Sequence, residues 1–237
     1  MLVWRVSTAV SPAAIEALEP LLDEHERTRA ARFGVAAARE RFVVGRAVAK
    51  TALGQMLGRD PRELRFALRC AVCGLEDHGK PYLTGHAGEV DFSISHSGGV
   101  ALVAVGRGLA VGADVELVRE STDVDALALR VLSPEERAPL AGLSGAERRV
   151  AFFRSWTRKE AYLKGRGTGL AGGLDRWTIS PDGRVSSSAA ADRSEAARWC
   201  VRSLEVGAGY LAAVAADDPF DAQVEPLGLD HVIAPHG

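Results

Sequence analysis

The chain has 237 residues, a formal net charge of −2, 47% hydrophobic and 25% charged residues. These values are those of a soluble globular protein and exclude a disordered tail, a collagen-like chain and a disulfide-rich miniprotein. The near-neutral balance lacks the basic excess of a general nucleic-acid binder. No run approaches the ~18–20 apolar residues that a membrane span requires.

Leu2–Val6 reads as a first strand, and Ser11-Pro12 opens a helix with Ser11 as N-cap and Pro12 in the first turn, predicted to continue to about Arg32. A second helix is expected from about Ala37 to Leu57, ended by Gly58 and Asp60-Pro61. Residues 63–68 look like a strand, and Gly79-Lys80-Pro81 is a turn. Val90–Ile94 and Val100–Val105 are strands joined through Ser95-His96-Ser97-Gly98-Gly99. Ala110–Leu117 is a further strand, and Ser133-Pro134-Glu135-Glu136 is a capping box. A long helix is expected over Gly145–Lys164, ended by Gly165. Strands follow near 174–179, 197–204 and 210–215, and residues 216–237 read as a loosely packed tail. The second half repeats the order of the first loosely. That predicts an α+β protein of two similar α/β lobes, residues 1–107 and 108–237, in a pseudo-twofold arrangement with the active site in the cleft between them.

Residues 25–70 hold eleven Arg and Lys against four Asp and Glu, whereas residues 114–125 are acidic. Such a division suits an anionic ligand held partly by cations and partly through a metal; solvated helix faces are the other reading. Of the 29 basic residues only Lys50, Lys80, Lys159 and Lys164 are Lys, so these four are marked positions. Met1 to Glu16 does not read as a signal peptide, and three Cys fit a reducing cytoplasm. Cys70 and Cys73 form one C-x-x-C with His78 and His86 nearby. A structural zinc site wants four ligands in matched spacing, so this segment reads either as an incomplete metal site or as a plain turn.

In Gly112-Ala113-Asp114-Val115-Glu116 the two carboxylates are two apart and share one face of a strand. They repel each other unless a cation such as Mg²⁺ lies between them or solvent screens both. In Phe153-Arg154-Ser155-Trp156-Thr157-Arg158-Lys159-Glu160-Ala161-Tyr162-Leu163-Lys164, helical spacing puts Phe153, Trp156, Glu160 and Lys164 near one stripe. The aromatic wall could desolvate Glu160 and Lys164 into useful acid–base groups, or the stripe is a core helix with an exposed Glu–Lys pair. Arg46 and Lys50, one helical turn apart, could clamp a phosphate, as could Ser95 and His96 beside their glycines. The chain has neither a G-x-S-x-G elbow nor a Walker loop.

Taken in order, Gly79-Lys80-Pro81, Ser93-Ile94-Ser95-His96-Ser97, the G-x-D-x-E strand, Trp156-x-x-Lys159-Glu160-x-x-x-Lys164 and Gly167-Thr168-Gly169-Leu170 resemble the Sfp-type 4′-phosphopantetheinyl transferases. The resemblance covers about residues 25–175, and the length fits the two-lobed cytoplasmic monomers of that family. It implies Mg²⁺-dependent transfer of the phosphopantetheine arm of coenzyme A to a serine of an apo acyl or peptidyl carrier protein, releasing 3′,5′-ADP. Fatty-acid, polyketide and nonribosomal-peptide carriers are all candidate partners. By matching motifs, Asp114, Glu116 and Glu160 would hold Mg²⁺, Glu160 would be the general base, and Lys164 would stabilise the pyrophosphate or leaving group. An ammonium that fits beside a metal and can lose a proton is the reason for lysine at that position. Ser95 and His96 would contact phosphates of coenzyme A, Arg46 and Lys80 its 3′-phosphate or adenine end, and Lys159 and Arg29 are further cationic contacts. A non-catalytic coenzyme A- or carrier-binding module and a metal-dependent nucleotide phosphohydrolase are the competing readings.

Overall fold

The computed structural model describes residues 1–76 and 78–233. Strand β1 (Leu2–Ser7) leads to α1 (Pro12–Leu18), capped as expected by Ser11, whose side chain accepts from the Ala14 N–H. The single helix predicted to run to Arg32 is instead broken. Pro20 enters a short 3₁₀ turn, Glu19–Leu21, and Asp23 starts α2 (Glu24–Ala31) with a reciprocal capping box to Glu26. Two local signals, Pro20 and the Asp-x-x-Glu box, outweigh continued apolar periodicity there. Helix α3 (Ala36–Leu57) follows, then β2 (Phe66–Arg69), β3 (Lys80–Leu83), β4 (Val90–Ser97), β5 (Val100–Arg107) and β6 (Val111–Leu117). After α4 (Val124–Val131) and α5 (Pro134–Arg137) comes α6 (Gly145–Arg166). The chain continues through β7 (Trp177–Ile179), β8 (Val185–Ser187), α7 (Arg193–Ala196), β9 (Cys200–Leu204), β10 (Tyr210–Ala216), β11 (Gln223–Pro226) and α8 (Leu229–Ile233).

The mixed α+β fold is built in layers. One sheet has the order β11-β1-β5-β4 and a second the order β6-β10-β9. Helix α3 covers the outer face of the first sheet, burying Val44, Ala47, Val48 and Leu53 against Phe92, Val103 and Val105. Helix α6 covers the outer face of the second, burying Phe152, Ala161 and Leu163 with Ala213 and Ala215. The inner faces meet through Val3, Leu102, Ala104, Val111, Ala113, Val115 and Val214. Apolar neighbours on both sides explain why β5 reads Val-Ala-Leu-Val-Ala-Val without polar alternation.

The expected loose tail is partly structured: β11 pairs in parallel with β1, Val224 opposite Val3, and α8 packs on α1 and α3. Residues 234–237 of that tail lie outside the described residues. Among the described residues no helix is long and apolar enough to cross a membrane.

Candidate active site

Helix α6 approaches β6 so closely that the site depends on a missing side chain. A Cβ on Gly112 would lie 1.8 Å from the Ala161 carbonyl oxygen and 2.4 Å from the Gly165 nitrogen, both backbone atoms. The glycine of the G-x-D-x-E strand is thus a packing requirement that lets Asp114, two residues on, face Lys164. Gly165, expected to end the helix, is inside it against the Trp199 ring, and the left-handed C-cap is Gly167.

Strand β4 supplies a second device that the sequence reading missed. It continues through Ser97, so the serines are in a strand rather than in the connecting turn. Ser93, Ser95 and Ser97 alternate on the face toward β6, which belongs to the other sheet. Their hydroxyl oxygens accept from Ala113 N at 3.0 Å, Val115 N at 3.3 Å and Leu117 N at 3.1 Å. This side-chain ladder satisfies the unpaired edge of β6 and ties the two sheets together. Two of the hydroxyls then donate onward, Ser95 to Asp114 Oδ1 at 2.8 Å and Ser97 to Glu116 Oε2 at 2.6 Å. Period-two serines were visible in the sequence, but their partners are 20 residues away on a strand of another sheet.

A cavity of about 270 Å³ is lined by Ser95, His96, Asp114, Glu116, Trp156, Glu160, Lys164 and Leu170. Trp156, Glu160 and Lys164 reach it from successive turns of α6, as their spacing predicts; Phe153 is buried in the core instead. Lys164 Nζ is 2.6 Å from Asp114 Oδ1 and 2.9 Å from Ser95 Oγ. Burial pushes the Glu160 carboxyl up to about 7, with help from Asp114 and Glu116, against the opposing pull of Lys164. Desolvation also raises Glu116. Burial opposes charge on Lys164, but the Asp114 ion pair and hydrogen bond, with Glu160 and Glu116, outweigh it and hold the ammonium above its ordinary value. That direction favours a charged Lys164 over one that gives up its proton. Asp114 Oδ2 and Glu160 Oε1 are buried without a hydrogen-bond partner. Orphaned carboxylate oxygens beside a cavity that Asp114, Glu116 and Glu160 all line are donors of the kind a hard divalent cation takes.

Other predicted residues are placed differently. Ser95 is buried, donates to Asp114 and accepts from both Val115 and Lys164, so its hydroxyl is saturated and does not serve a phosphate. His96, its neighbour, is on the opposite strand face and exposed; partial desolvation, then Arg41 and Lys164, lower its pKa and favour a neutral ring. Lys80 begins a strand rather than occupying a turn. Its ammonium is spent on Asp91, on the Val111 carbonyl at 2.8 Å and on the Gly165 carbonyl at 3.3 Å. Lys159 is 1% exposed and donates to the Leu174 and Trp177 carbonyls at 2.7 and 2.5 Å, with Glu136 Oε2 at 2.6 Å. Neither lysine has a donor left for a phosphate, which corrects both expectations. Lys159 is seven residues from Phe152 and four from Leu163, so helical spacing already places it on the core stripe.

Arg46 and Arg29 do come together, in a separate cavity of about 620 Å³ lined also by Arg32, Phe42 and Phe66. The Arg46 guanidinium is 5.3 Å from the Phe42 ring centroid and 5.4 Å from that of Phe66. Beneath them Lys50 is fully buried, its Nζ 2.6 Å from Glu26 Oε2, and does not share a clamp with Arg46.

A family model described as the 4′-phosphopantetheinyl transferase superfamily matches residues 110–215. The chain is 35% identical over 170 residues to the 4′-phosphopantetheinyl transferase HetI of Nostoc sp. (strain PCC 7120), covering 71% of this chain and 69% of that protein. It is 31% identical over 148 residues to a 4′-phosphopantetheinyl transferase of Bacillus subtilis, covering 62% of this chain and 61% of the relative. Among solved structures, a holo-(acyl-carrier-protein) synthase from Bacillus anthracis in complex with CoA (3′,5′-ADP) matches with a TM-score of 0.36 and 23% identity, covering 45% of this chain and 93% of that one.

Proposed function

The chain belongs to the 4′-phosphopantetheinyl transferase superfamily, and on that premise we propose that it moves the 4′-phosphopantetheine arm of coenzyme A to a serine of an apo acyl or peptidyl carrier protein, releasing 3′,5′-ADP. The observation that carries this reading is the meeting of Asp114, Glu116, Glu160 and Lys164 in one cavity, with Asp114 Oδ2 and Glu160 Oε1 buried and unpartnered. Asp114, Glu116 and Glu160 would hold Mg²⁺, which when bound neutralises pyrophosphate oxygens. The protein's own residues do the rest. Glu160 takes the proton of the attacking serine hydroxyl. Lys164, kept charged and aimed by Asp114 and Ser95, stabilises the charge that develops on the departing 3′,5′-ADP. A neutral His96 at the cleft wall donates one ring N–H to a phosphate oxygen. Arg46 and Arg29 receive the 3′-phosphate, with Phe42 and Phe66 beside the adenine end.

The lobes 1–107 and 108–237 are read as a pseudo-twofold pair; a 22-residue helix on one sheet face of each half supports that reading. The protein is read as a cytoplasmic monomer serving fatty-acid, polyketide or nonribosomal-peptide carriers. The test is incubation with coenzyme A, Mg²⁺ and a panel of apo carriers, followed by intact carrier mass. A phosphopantetheine increment on at least one carrier is expected. Absence of the increment from every carrier type overturns the proposal, and adenosine phosphate release without carrier would replace it with a phosphohydrolase.

A further inference from the structure

The C-x-x-C segment has no part in the chemistry above. It lies between β2 and β3, where Cys70 and Cys73 carry free thiols. Folding brings His78 to them: Cys73 Sγ is 3.3 Å from His78 Nε2, and one ligand atom from each of Cys70, Cys73 and His78 lies within 4.8 Å of the others. His86, the other histidine near this motif, is not part of the group; its Nδ1 is 2.8 Å from Glu89 Oε2. Tetrahedral zinc, with Zn–S of about 2.3 Å and Zn–N of about 2.0–2.1 Å, sets its ligand atoms roughly 3.4–3.8 Å apart. The Cys73–His78 pair is already near that spacing, and Cys70 is within 4.8 Å of both.

We propose that Cys70, Cys73 and His78 bind a soft divalent cation of the zinc class through two thiolates and one imidazole, with the fourth position open to solvent. The loop is shaped for it. Gly74 N donates to the Cys70 carbonyl at 2.9 Å and Cys70 N to the Leu75 carbonyl at 2.9 Å, closing a tight turn in which Gly74 has φ +74°. Sulfur and nitrogen donors select against Mg²⁺, so this site and the carboxylate cluster do not compete for one ion.

The position gives the ion a structural task. Ala71 N donates to the Gly167 carbonyl at 3.4 Å, joining this loop to the end of α6, and Lys80 starts the strand that follows. Cys70 and His78 also line a cavity of about 480 Å³ shared with Lys164 and Thr168. A bound ion therefore stiffens one wall of the cleft.

The experiment is titration of the reduced full-length protein with Co²⁺, read by absorption. One equivalent should bind with a thiolate-to-cobalt charge-transfer band and tetrahedral d–d bands. Zn²⁺ should displace it, and excess Mg²⁺ should not. Cys73→Ser, at an exposed thiol, should abolish the charge-transfer band, and His78→Ala should weaken binding at least tenfold. Cys200→Ser, in β9, should leave the signal intact. No charge-transfer band in the reduced protein, or an unchanged band in Cys73→Ser, overturns the proposal. So does native mass spectrometry showing quantitative loss of two hydrogens at Cys70 and Cys73 with no metal uptake, which would make the pair a redox couple.

Discussion

Replacing Lys159 by Met separates a structural lysine from a phosphate-binding one. The ammonium is buried with Glu136, whose side chain is 5% exposed. Glu136 is itself a hub: Oε1 accepts from Ile179 N at 3.0 Å and Oε2 from Ser133 N at 3.0 Å. Methionine keeps the length of the side chain but leaves a buried carboxylate and the Leu174 and Trp177 carbonyls without their cation. Breaking one side of such a pair costs about 3–5 kcal/mol. For a chain of this size each kcal/mol moves Tm by roughly 2–4 °C, so a fall on the order of 10 °C is expected. Urea unfolding followed by tryptophan fluorescence measures the loss, and calorimetric titration with coenzyme A at low temperature measures affinity of the folded fraction. Affinity should change less than twofold. A variant with unchanged stability and a tenfold weaker coenzyme A affinity would refute the reasoning and return Lys159 to the phosphate.

Asp114→Asn and Glu160→Gln should each lower the transfer rate by at least 10²-fold while the protein stays folded, because each removes charge where charge is neutralised; carrier mass against time checks this. Metal removal by a chelator should abolish transfer, and added Mg²⁺ should restore it. Arg46→Ala should raise KM for coenzyme A about tenfold with kcat within threefold, a loss of ground-state binding that steady-state kinetics resolves. Gly112→Ala should cost more than about 4 kcal/mol, since its Cβ would meet backbone atoms of Ala161 and Gly165 in α6; a melting temperature within a few degrees of the parent would show that α6 can move off β6.

Residues whose partners are close in sequence were the legible ones. The stripe Trp156, Glu160 and Lys164 follows from 3.6 residues per turn, and the shared face of Asp114 and Glu116 from a period of two. What the chain does not display locally is how its two sheets meet. The serine ladder from β4 to β6 and the parallel pairing of β11 with β1 join segments whose patterns do not name their partners. The same nonlocality hid the fate of Ser95. A serine beside a histidine and glycines suits a phosphate, until β6 and Lys164 occupy both its lone pairs. His96, one residue on, escapes because alternate residues of a strand face opposite ways.

The four lysines are a consequence of the same packing. Lys50 is held by Glu26, Lys80 by Asp91, Lys159 by Glu136 and Lys164 by Asp114, and at Lys50 and Lys159 almost none of the side chain is exposed. Each ammonium meets a carboxylate beneath or beside the surface, and Lys80 and Lys159 also meet two carbonyl oxygens each. A compact charge with three tetrahedral donors suits such a converging set. A planar guanidinium with five donors would overfill it and bury N–H groups without acceptors. Arg46, by contrast, sets its guanidinium near two aromatic rings, 5.3 Å from the Phe42 centroid and 5.4 Å from that of Phe66. The marked positions are thus the sites of enclosed ion pairs, and a lysine in this chain indicates burial before it indicates function. Lys164 is the one of the four whose carboxylate partner also borders the candidate metal site, and that shared partner, not the lysine alone, is what supports the role proposed for it.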